Sequence, residues 1–387
     1  MKVLFLTLSS SKKGKANIDI YNNAAGLVKK GHEVHLVTRQ DGDVVAQDQG
    51  REGVKTHPLA LRTQLFSIIF FPIFLIRILF LIRETDPDVV IAENNLHCPL
   101  MGLWGANLFN KPYGLILREL TADAIFYDRS QGLLKRGLEW IVMKIDHTII
   151  YKVDGELAIN DGIASYYESK LGLEIPARWM IGYPMKKFMV NESFLLEIKE
   201  KYNIQENERY LIYTGSLQSE RGLESVIRAL SKSDGKPPYH LLVTGEGRAE
   251  EKLKQIVNNM NLADRVKFLG WVSDRDLFAL LQLVDIGLEP YSRPWPQNHT
   301  PSTKVALYVA GGLFVICTPA VGYEEIVREG RNCIFFRGED ELLSVLKKID
   351  LVPSRSELEN DTETRGVVDV KQTTDHLENF LMKVVDG

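Results

Sequence analysis

The chain has 387 residues, 45% of them hydrophobic and 25% charged, with 29 Gly and 15 Pro. This is ordinary globular usage that excludes a disordered or collagenous chain, and the length suits two domains better than one core. The 47 Lys and Arg against 51 Asp and Glu leave a net charge of -4, which argues against nucleic-acid binding through one large basic face. The cysteines Cys98, Cys317 and Cys333 include no CxxC pair. Neither a zinc site nor a disulfide framework is indicated, and a reducing cytoplasm is the simplest compartment.

In chain order, residues 1–8 (MKVLFLTL) are too short an apolar run for a signal peptide and read as a first buried strand. Further strands are expected at 32–39, 53–61, 88–93, 113–119, 155–160 and 178–182, with helical periodicity between most of them. Residues 65–82 (LFSIIFFPIFLIRILFLI) reach the lower limit of transmembrane length. The strand-like segments on either side must pair in one sheet, so the stretch cannot span a bilayer. It reads as a buried crossover helix or as an interfacial one, because residues 53–83 carry Lys55, Arg62, Arg77 and Arg83 and no acidic residue. That composition suits an anionic membrane surface met through residues 62–83. The glycosylation sequons at 191–193, 298–300 and 360–362 read as chance matches without a secretory signal.

After a polar stretch at 185–209 the pattern restarts, with strands expected at 210–215, 240–245, 266–270, 286–291, 314–318 and 334–337. The expectation is an α/β protein of two Rossmann-like doubly wound domains facing a central cleft, 1–190 and 191–370. Residues 353–370 read as a polar loop, and 371–387 as a C-terminal helix packing back across the lobes.

Several segments could carry chemistry. Gly245-Glu246-Gly247 follows a strand and opens a helix, as a phosphate-binding turn does, but the third glycine of a dinucleotide fingerprint would fall at Glu250. A tight turn is the plainer reading. Asp41-Gly42-Asp43 and Asp86-Pro87-Asp88 match the DxD pattern of some metal sites, yet both read as polar turns, and no metal is expected. In residues 291–321 a Pro-rich loop precedes a helix starting near Ser302, which puts Lys304 in the first helical turn, where free amides and an ammonium suit a diphosphate. The stretch GSLQSERG, with Gly215, Ser216 and Arg221, repeats this design after the first strand of the same lobe.

These features together resemble the GT-B glycosyltransferases, and within them the retaining enzymes of family 4. Residues 31–38 (GHEVHLVT) are similar to the family's GHEVxVxT strand, 86–90 (DPDVV) to its PDVV strand, and 117–120 (LREL) to the RDLW segment of enzymes that build surface polysaccharides. Residues 213–216 with 221–223 resemble the YTG loop and its KG step, and 266–272 (VKFLGWV) the VxFxGxV strand. Residues 301–311 resemble PTKxxEYxAxG, and 322–327 (GYEEIV) the GGxxEIV turn.

The resemblance implies transfer of a sugar from a nucleotide-diphosphate donor to a lipid-linked or polysaccharide acceptor, without metal or other cofactor. It implies Arg221 and Lys304 as catalytic cations that stabilise the leaving diphosphate. Gly14, Gly215, Ser216, Gly245, Gly270, Gly322 and Glu325 would contact the donor, and His97, Arg118 and Glu119 would lie on the acceptor side. In one departure, the family's two glutamates fall at His299 and Leu307. Leucine cannot accept the hydrogen bond that the second glutamate takes from the ribose, so a catalytically silent nucleotide-binding protein is an alternative, as is a nucleotide-sugar epimerase on the same scaffold. Splitting the charge at residue 190 gives 23 basic against 20 acidic residues before it, a net of +3, and -7 after it. Diphosphate binding in the second lobe must therefore rest on local cations and helix starts.

Overall fold

The computed structural model describes residues 1–10, 18–40, 53–60, 71–95, 97–118, 133–206, 208–233, 239–291, 302–348, 353 and 355–387. Two compact units emerge, Met1–Gly182 with Val370–Gly387, and Tyr183–Asp369.

The first unit is built on a parallel sheet of β1 (Lys2–Ser10), β2 (Glu33–Gln40), β3 (Lys55–Ala60), β4 (Val89–Glu93), β5 (Tyr113–Leu117) and β6 (Gly155–Ala158), in the order β3-β2-β1-β4-β5-β6. Every residue of β4 (VVIAE) and β5 (YGLIL) is buried, the continuous apolar run of strands covered on both faces. Between them run α1 (Ile18–Lys29), α2 (Phe71–Thr85), α3 (Cys98–Phe109), α4 (Leu133–Ile150) and α5 (Asp161–Leu171). Helix α5 starts where the Asn160 side chain accepts the Ile163 N–H at 2.9 Å and stops at Gly172 in the left-handed region.

The strand expected at 178–182 does not form. Only Ala177 makes a bridge, to Ala158. Pro176 has no N–H to extend the ladder, and beyond Ala177 the backbone acceptors go elsewhere. The Asn23 and Asn22 side chains donate to the Met180 and Gly182 carbonyls, each at 3.0 Å, and Trp179 Nε1 donates to the Ile181 carbonyl at 2.9 Å.

The second unit repeats the plan with β7 (Arg209–Thr214), β8 (Tyr239–Thr244), β9 (Val266–Gly270), β10 (Ile286–Glu289), β11 (Phe314–Cys317) and β12 (Cys333–Phe335), in the order β12-β11-β10-β7-β8-β9. Its helices are α6 (Glu192–Tyr202), α7 (Leu223–Lys232), α8 (Glu250–Asn259), α9 (Asp274–Leu283), α10 (Thr303–Ala310) and α11 (Glu339–Lys348). Leu211, Tyr213, Leu241 and Val243 of the sheet pack on Val226, Ile227 and Leu230 of α7 in one buried core. The polar segment expected to be a loop carries two short helices, α12 (Arg355–Glu359) and α13 (Thr362–Val367). Side chains rather than an apolar stripe hold them. Asp361 caps α13 by accepting from Thr364 N at 3.3 Å, and Arg355 and Arg365 donate to the carbonyls of neighbouring helix ends.

The last helix, α14 (Val370–Asp386), belongs to the first unit. It buries Leu377, Phe380, Leu381 and Val384, and it packs on α1 and against β4, β5 and β6. Thr373 Oγ1 donates to Asn23 Oδ1 at 2.7 Å.

In each unit the chain winds outward in both directions from its first and fourth strands, β1 beside β4 and β7 beside β10. A doubly wound sheet has its topological switch point there, and ligands bind outside the carboxyl ends of those strands.

Candidate active site

At the switch point of the second unit, β7 and β10 pair only through Leu211 with Ile286 and Ile212 with Gly287, and then part. Tyr308 of α10 fills the gap. Its ring sits over Gly287, where a Cβ would come within 2.3 Å of it. The hydroxyl accepts the Thr214 N–H at 3.0 Å and donates to the Leu288 carbonyl at 3.2 Å, satisfying the groups that the parting strands release.

Above this bridge stands Lys304. Ser302 starts α10, its side chain accepting the Lys304 N–H at 3.3 Å, and the first turn aims the lysine back over the sheet. Nζ lies 2.9 Å from Oε1 of Glu289, a residue only 1% exposed at the carboxyl end of β10. It also stands 5.4 and 5.5 Å from the ring centres of Tyr213 and Tyr291, and the Arg221 guanidinium lies 4.8 Å from the Tyr291 ring. Burial pushes the Lys304 ammonium below the usual lysine value and Arg221 adds to that, while Glu289 opposes both. Burial, with Glu289 beside them, pushes the hydroxyls of Tyr213, Tyr308 and Tyr323 up. Two cations are thus held over an aromatic floor with one buried carboxylate between sheet and lysine, an arrangement able to receive a phosphate-bearing ligand.

Of the other residues expected on the donor side, those of the second unit lie on the loops and strand ends around this sheet edge. Gly215, at φ 123, lets the loop after β7 turn under Lys304, and a Cβ there would come within 2.7 Å of Lys304 Cε. Gly215 N donates to the Thr244 carbonyl at 2.9 Å and Gly245 N to the Gly270 carbonyl at 2.7 Å. The ends of β7, β8 and β9 are thereby tied into one edge. The Ser216 carbonyl accepts from the Tyr213 hydroxyl at 2.9 Å. Gly322 precedes a short 3-10 turn, Tyr323–Glu325, that reaches the start of α10 through the Tyr323 hydroxyl, which accepts from Ser302 N at 3.2 Å. Leu307, one turn after Lys304, is buried.

In the first unit the switch point also holds a buried ion pair. Thr7 of β1 donates to Glu93 Oε2 at the end of β4, and Arg118 Nε lies 3.6 Å from Glu93 Oε1. The Arg118 N–H is held by Asn94 Oδ1 at 2.7 Å. Thr7, Asn23, Glu93, Arg118 and Met180 line a small cavity here. His97 stands at the start of α3, its ring edge-on to Phe71. Asp86 and Asp88 sit at the opposite, amino end of β4. Asp86 pairs with Lys111, and Asp88 accepts the Lys2 N–H at 2.7 Å, so both serve the turn. Gly14, Glu119, His299 and Asp41-Gly42-Asp43 lie outside the described residues.

Sequence reasoning missed Glu289, Glu93, Thr7 and Tyr308. A usable signal existed for the two glutamates. Both end an apolar strand, VVIAE and IGLE, and both of those strands are fourth in their sheet.

Residues 16–177 match the family described as Glycosyltransferase Family 4, and residues 196–366 match the one described as Glycosyl transferases group 1. Among curated proteins, the chain is 22% identical over 271 residues to the alpha-monoglucosyldiacylglycerol synthase of Streptococcus pneumoniae, covering 67% of this chain and 58% of that one. It is 25% identical over 152 residues to an uncharacterized glycosyltransferase of Methanocaldococcus jannaschii, covering 38% of this chain and 37% of that one. The chain therefore spans less than two thirds of either relative's length. Among solved structures, the Anabaena protein HepE in complex with UDP and glucose has the same fold, with a TM-score of 0.74, 15% identity and 99% of each chain covered.

Proposed function

The chain belongs to the family 4, group 1 glycosyltransferases, and from this premise we propose that it is a retaining enzyme moving a sugar from a nucleotide-diphosphate donor to a lipid-linked or polysaccharide acceptor. The observation that carries this reading is Lys304, held with Arg221 over Tyr213 and Tyr291 at the switch point of the second unit. As the bond from anomeric carbon to phosphate oxygen breaks, negative charge grows on the departing diphosphate. Two fixed cations in a water-poor site stabilise that charge more than they stabilise the bound donor, which is what lowers the barrier. In this reading the two cations take the charge-stabilising part that a divalent ion can play, and the reaction needs no metal. Gly14, Gly215, Ser216, Gly245, Gly270, Gly322 and Glu325 contact the donor in this reading. Arg118, with His97 and Glu119, orients the acceptor hydroxyl, which attacks from the face the diphosphate leaves.

Transfer assays with a panel of nucleotide sugars test this. Turnover with one donor is expected, with Lys304→Ala and Arg221→Ala each reducing kcat by about 100-fold or more, the scale of losing one oxyanion donor. Unchanged turnover in both variants would overturn the mechanism. Buried, apolar Leu307 favours a second reading, a nucleotide-binding protein without transferase activity. Nucleotide binding with no transfer from any donor would select it.

The acceptor side is proposed to work at an anionic membrane surface. Helix α3 touches both α2 and α4. These helices expose Ile73, Ile76 and Phe80, Trp104 and Leu108, and Trp140, Ile141 and Ile145. Arg77, Arg83 and Lys144 are exposed among them. Exposed apolar stripes with interleaved cations suit the interface of an anionic bilayer. No helix among the described residues is long and apolar enough to cross a membrane. Co-sedimentation with phosphatidylglycerol vesicles at low salt, lost in a Phe80→Asp, Trp140→Asp variant that still melts like the parent, is the expected result. No sedimentation of the parent chain would refute it.

A further inference from the structure

The buried carboxylate beside Lys304 has no part in the reading above. Glu289 ends β10, is 1% exposed, and its Oε1 lies 2.9 Å from Lys304 Nζ. Among the described residues its Oε2 is buried without a hydrogen-bond partner. The register that pairs Gly287 with Ile212 sets Glu289 opposite Thr214 at the mouth of the switch point. A buried carboxylate is costly to keep even when one of its oxygens is paired, so it calls for a function that its charge performs.

We propose that Glu289 is the internal counter-ion and positioning residue of Lys304: it fixes the ammonium at the carboxyl ends of β7 and β10 and keeps it charged for the donor's diphosphate. The inference rests on the reading of this site as the diphosphate site.

The surroundings explain why a counter-ion is needed. Lys304 is buried against the rings of Tyr213 and Tyr291, with Arg221 acting on it as a second positive charge, and both influences favour a neutral amine. An amine would lose most of its attraction for a diphosphate. Glu289 is the one negative group acting on Lys304 from β10. The other groups acting on this pair or on its neighbours are Glu220, beside Tyr213, and Tyr308, Tyr323 and Cys317 from α10, the 323–325 turn and β11. The hydroxyls of Tyr213, Tyr308 and Tyr323 and the Cys317 thiol are all pushed up by burial, so none of them ionises between pH 7 and pH 9. An ammonium has three donors. One holds Glu289 and a second reaches Ser302 Oγ at 3.5 Å, so one remains for a phosphate oxygen and the carboxylate need not leave when the donor arrives.

The test is the affinity of the full chain for UDP, by calorimetry, across pH 7 to 9.5, a range above the ionisation of a terminal phosphate near about pH 6. Parent affinity is expected to stay within about threefold from about pH 7 to 9.5, whereas Glu289→Gln, near-isosteric but uncharged, loses at least about threefold more than the parent over the same range, because an ammonium without its counter-ion gives up its proton at lower pH. Adding Lys304→Arg to that variant restores a flat profile, because arginine stays charged. If Glu289→Gln does not fold, Glu289→Asp gives the comparison, its shorter reach moving the midpoint down by a smaller amount. A Gln variant with the parent's pH profile, or an Asp variant with it where Gln does not fold, overturns the counter-ion role. A parent chain that does not bind UDP or any other nucleoside diphosphate overturns instead the reading of the site.

Discussion

The polar segment that follows α11 makes a strong prediction about α10, the helix that carries Lys304. The guanidinium of Arg355 donates to three backbone carbonyls: Val284 at 3.0 Å, Leu281 at 2.9 Å and Gly311 at 2.7 Å. Leu281 lies in the last turn of α9, Val284 just past it, and Gly311 closes α10. Helix ends leave such carbonyls without intrahelical partners, and a cation there also meets the negative end of the dipole. In Arg355→Ala all three bonds are lost. A hydrogen bond to a charged group contributes about 1.5–3 kcal/mol, but this side chain is 27% exposed and water can reach part of the site. About 1 kcal/mol per bond, or about 3 kcal/mol in all, is the resulting expectation. For a unit of this size each kcal/mol shifts Tm by about 2–4 °C, so the variant should melt about 6–12 °C lower, with faster amide exchange at residues 304–310. Arg355→Lys keeps the charge but not the fork, and should recover less than half of the loss. Thermal melting followed by circular dichroism, with urea unfolding alongside, measures both variants. An Arg355→Ala chain melting within about 1 °C of the parent would mean that water serves these carbonyls equally well, and the reasoning would fail.

Three further outcomes follow from buried polar groups. Tyr308→Phe removes the hydroxyl that bridges Thr214 N and the Leu288 carbonyl, leaving both without it at the parting of β7 and β10. A loss of about 2 kcal/mol in urea unfolding is expected, and a change below about 0.5 kcal/mol would contradict the bridge. Asn160→Ala deletes the cap on Ile163 N at the start of α5 and should cost about 1 kcal/mol, recoverable in part by Asn160→Asp. Burial raises the hydroxyls of Tyr113, Tyr213, Tyr308 and Tyr323 above the ordinary value of 10.0. A group whose folded value is raised lends stability below its unfolded value and loses it above, so these tyrosines leave stability flat from pH 7 to 9. Above about pH 10 they remove up to about 1.4 kcal/mol per pH unit each. A Tm that stays level to pH 11 would show the hydroxyls are not held neutral.

Most of the fold is legible in the sequence because it is local. The runs VVIAE, YGLIL and YHLLVT are continuous and apolar, as strands covered on both faces must be, and Asn, Gly and Ser mark the helix starts and stops between them. The segment 178–182 misleads because it is apolar enough for a strand, while its carbonyls are claimed by Asn22 and Asn23, more than 150 positions away. The segment 353–370 misleads in the opposite sense. Its two helices are held by Arg355, Asp361 and Arg365 reaching to other elements, and no periodic apolar stripe announces them. Lys304 could be placed from the sequence because a Ser and a helix start precede it. Its partner Glu289 is marked only as an acid ending the apolar run IGLE, and it takes the pairing of β10 with β7 to show that this end lies inside the switch point rather than in solvent.

That register exposes a correspondence between the two units which bears on the chemistry. In each sheet, continuing the pairing of Leu6 with Ala92 or of Ile212 with Gly287 brings a threonine of the first strand toward a glutamate at the end of the fourth, Thr7 toward Glu93 and Thr214 toward Glu289. In each, the glutamate is buried and lies beside a cation from a later element, Arg118 or Lys304. The details then diverge. Thr7 bonds Glu93 directly, whereas Thr214 meets the Tyr308 hydroxyl, which bridges the gap between β7 and β10. The first arrangement closes a small cavity around an ion pair whose partners also hold neighbouring side chains and backbone. The second leaves an ammonium with a donor to spare beside a second cation. The same backbone position thus yields a glutamate held by a threonine and an arginine in one unit and a glutamate holding an anion-receiving lysine in the other, and the difference lies in one interposed tyrosine and in the reach of lysine compared with arginine.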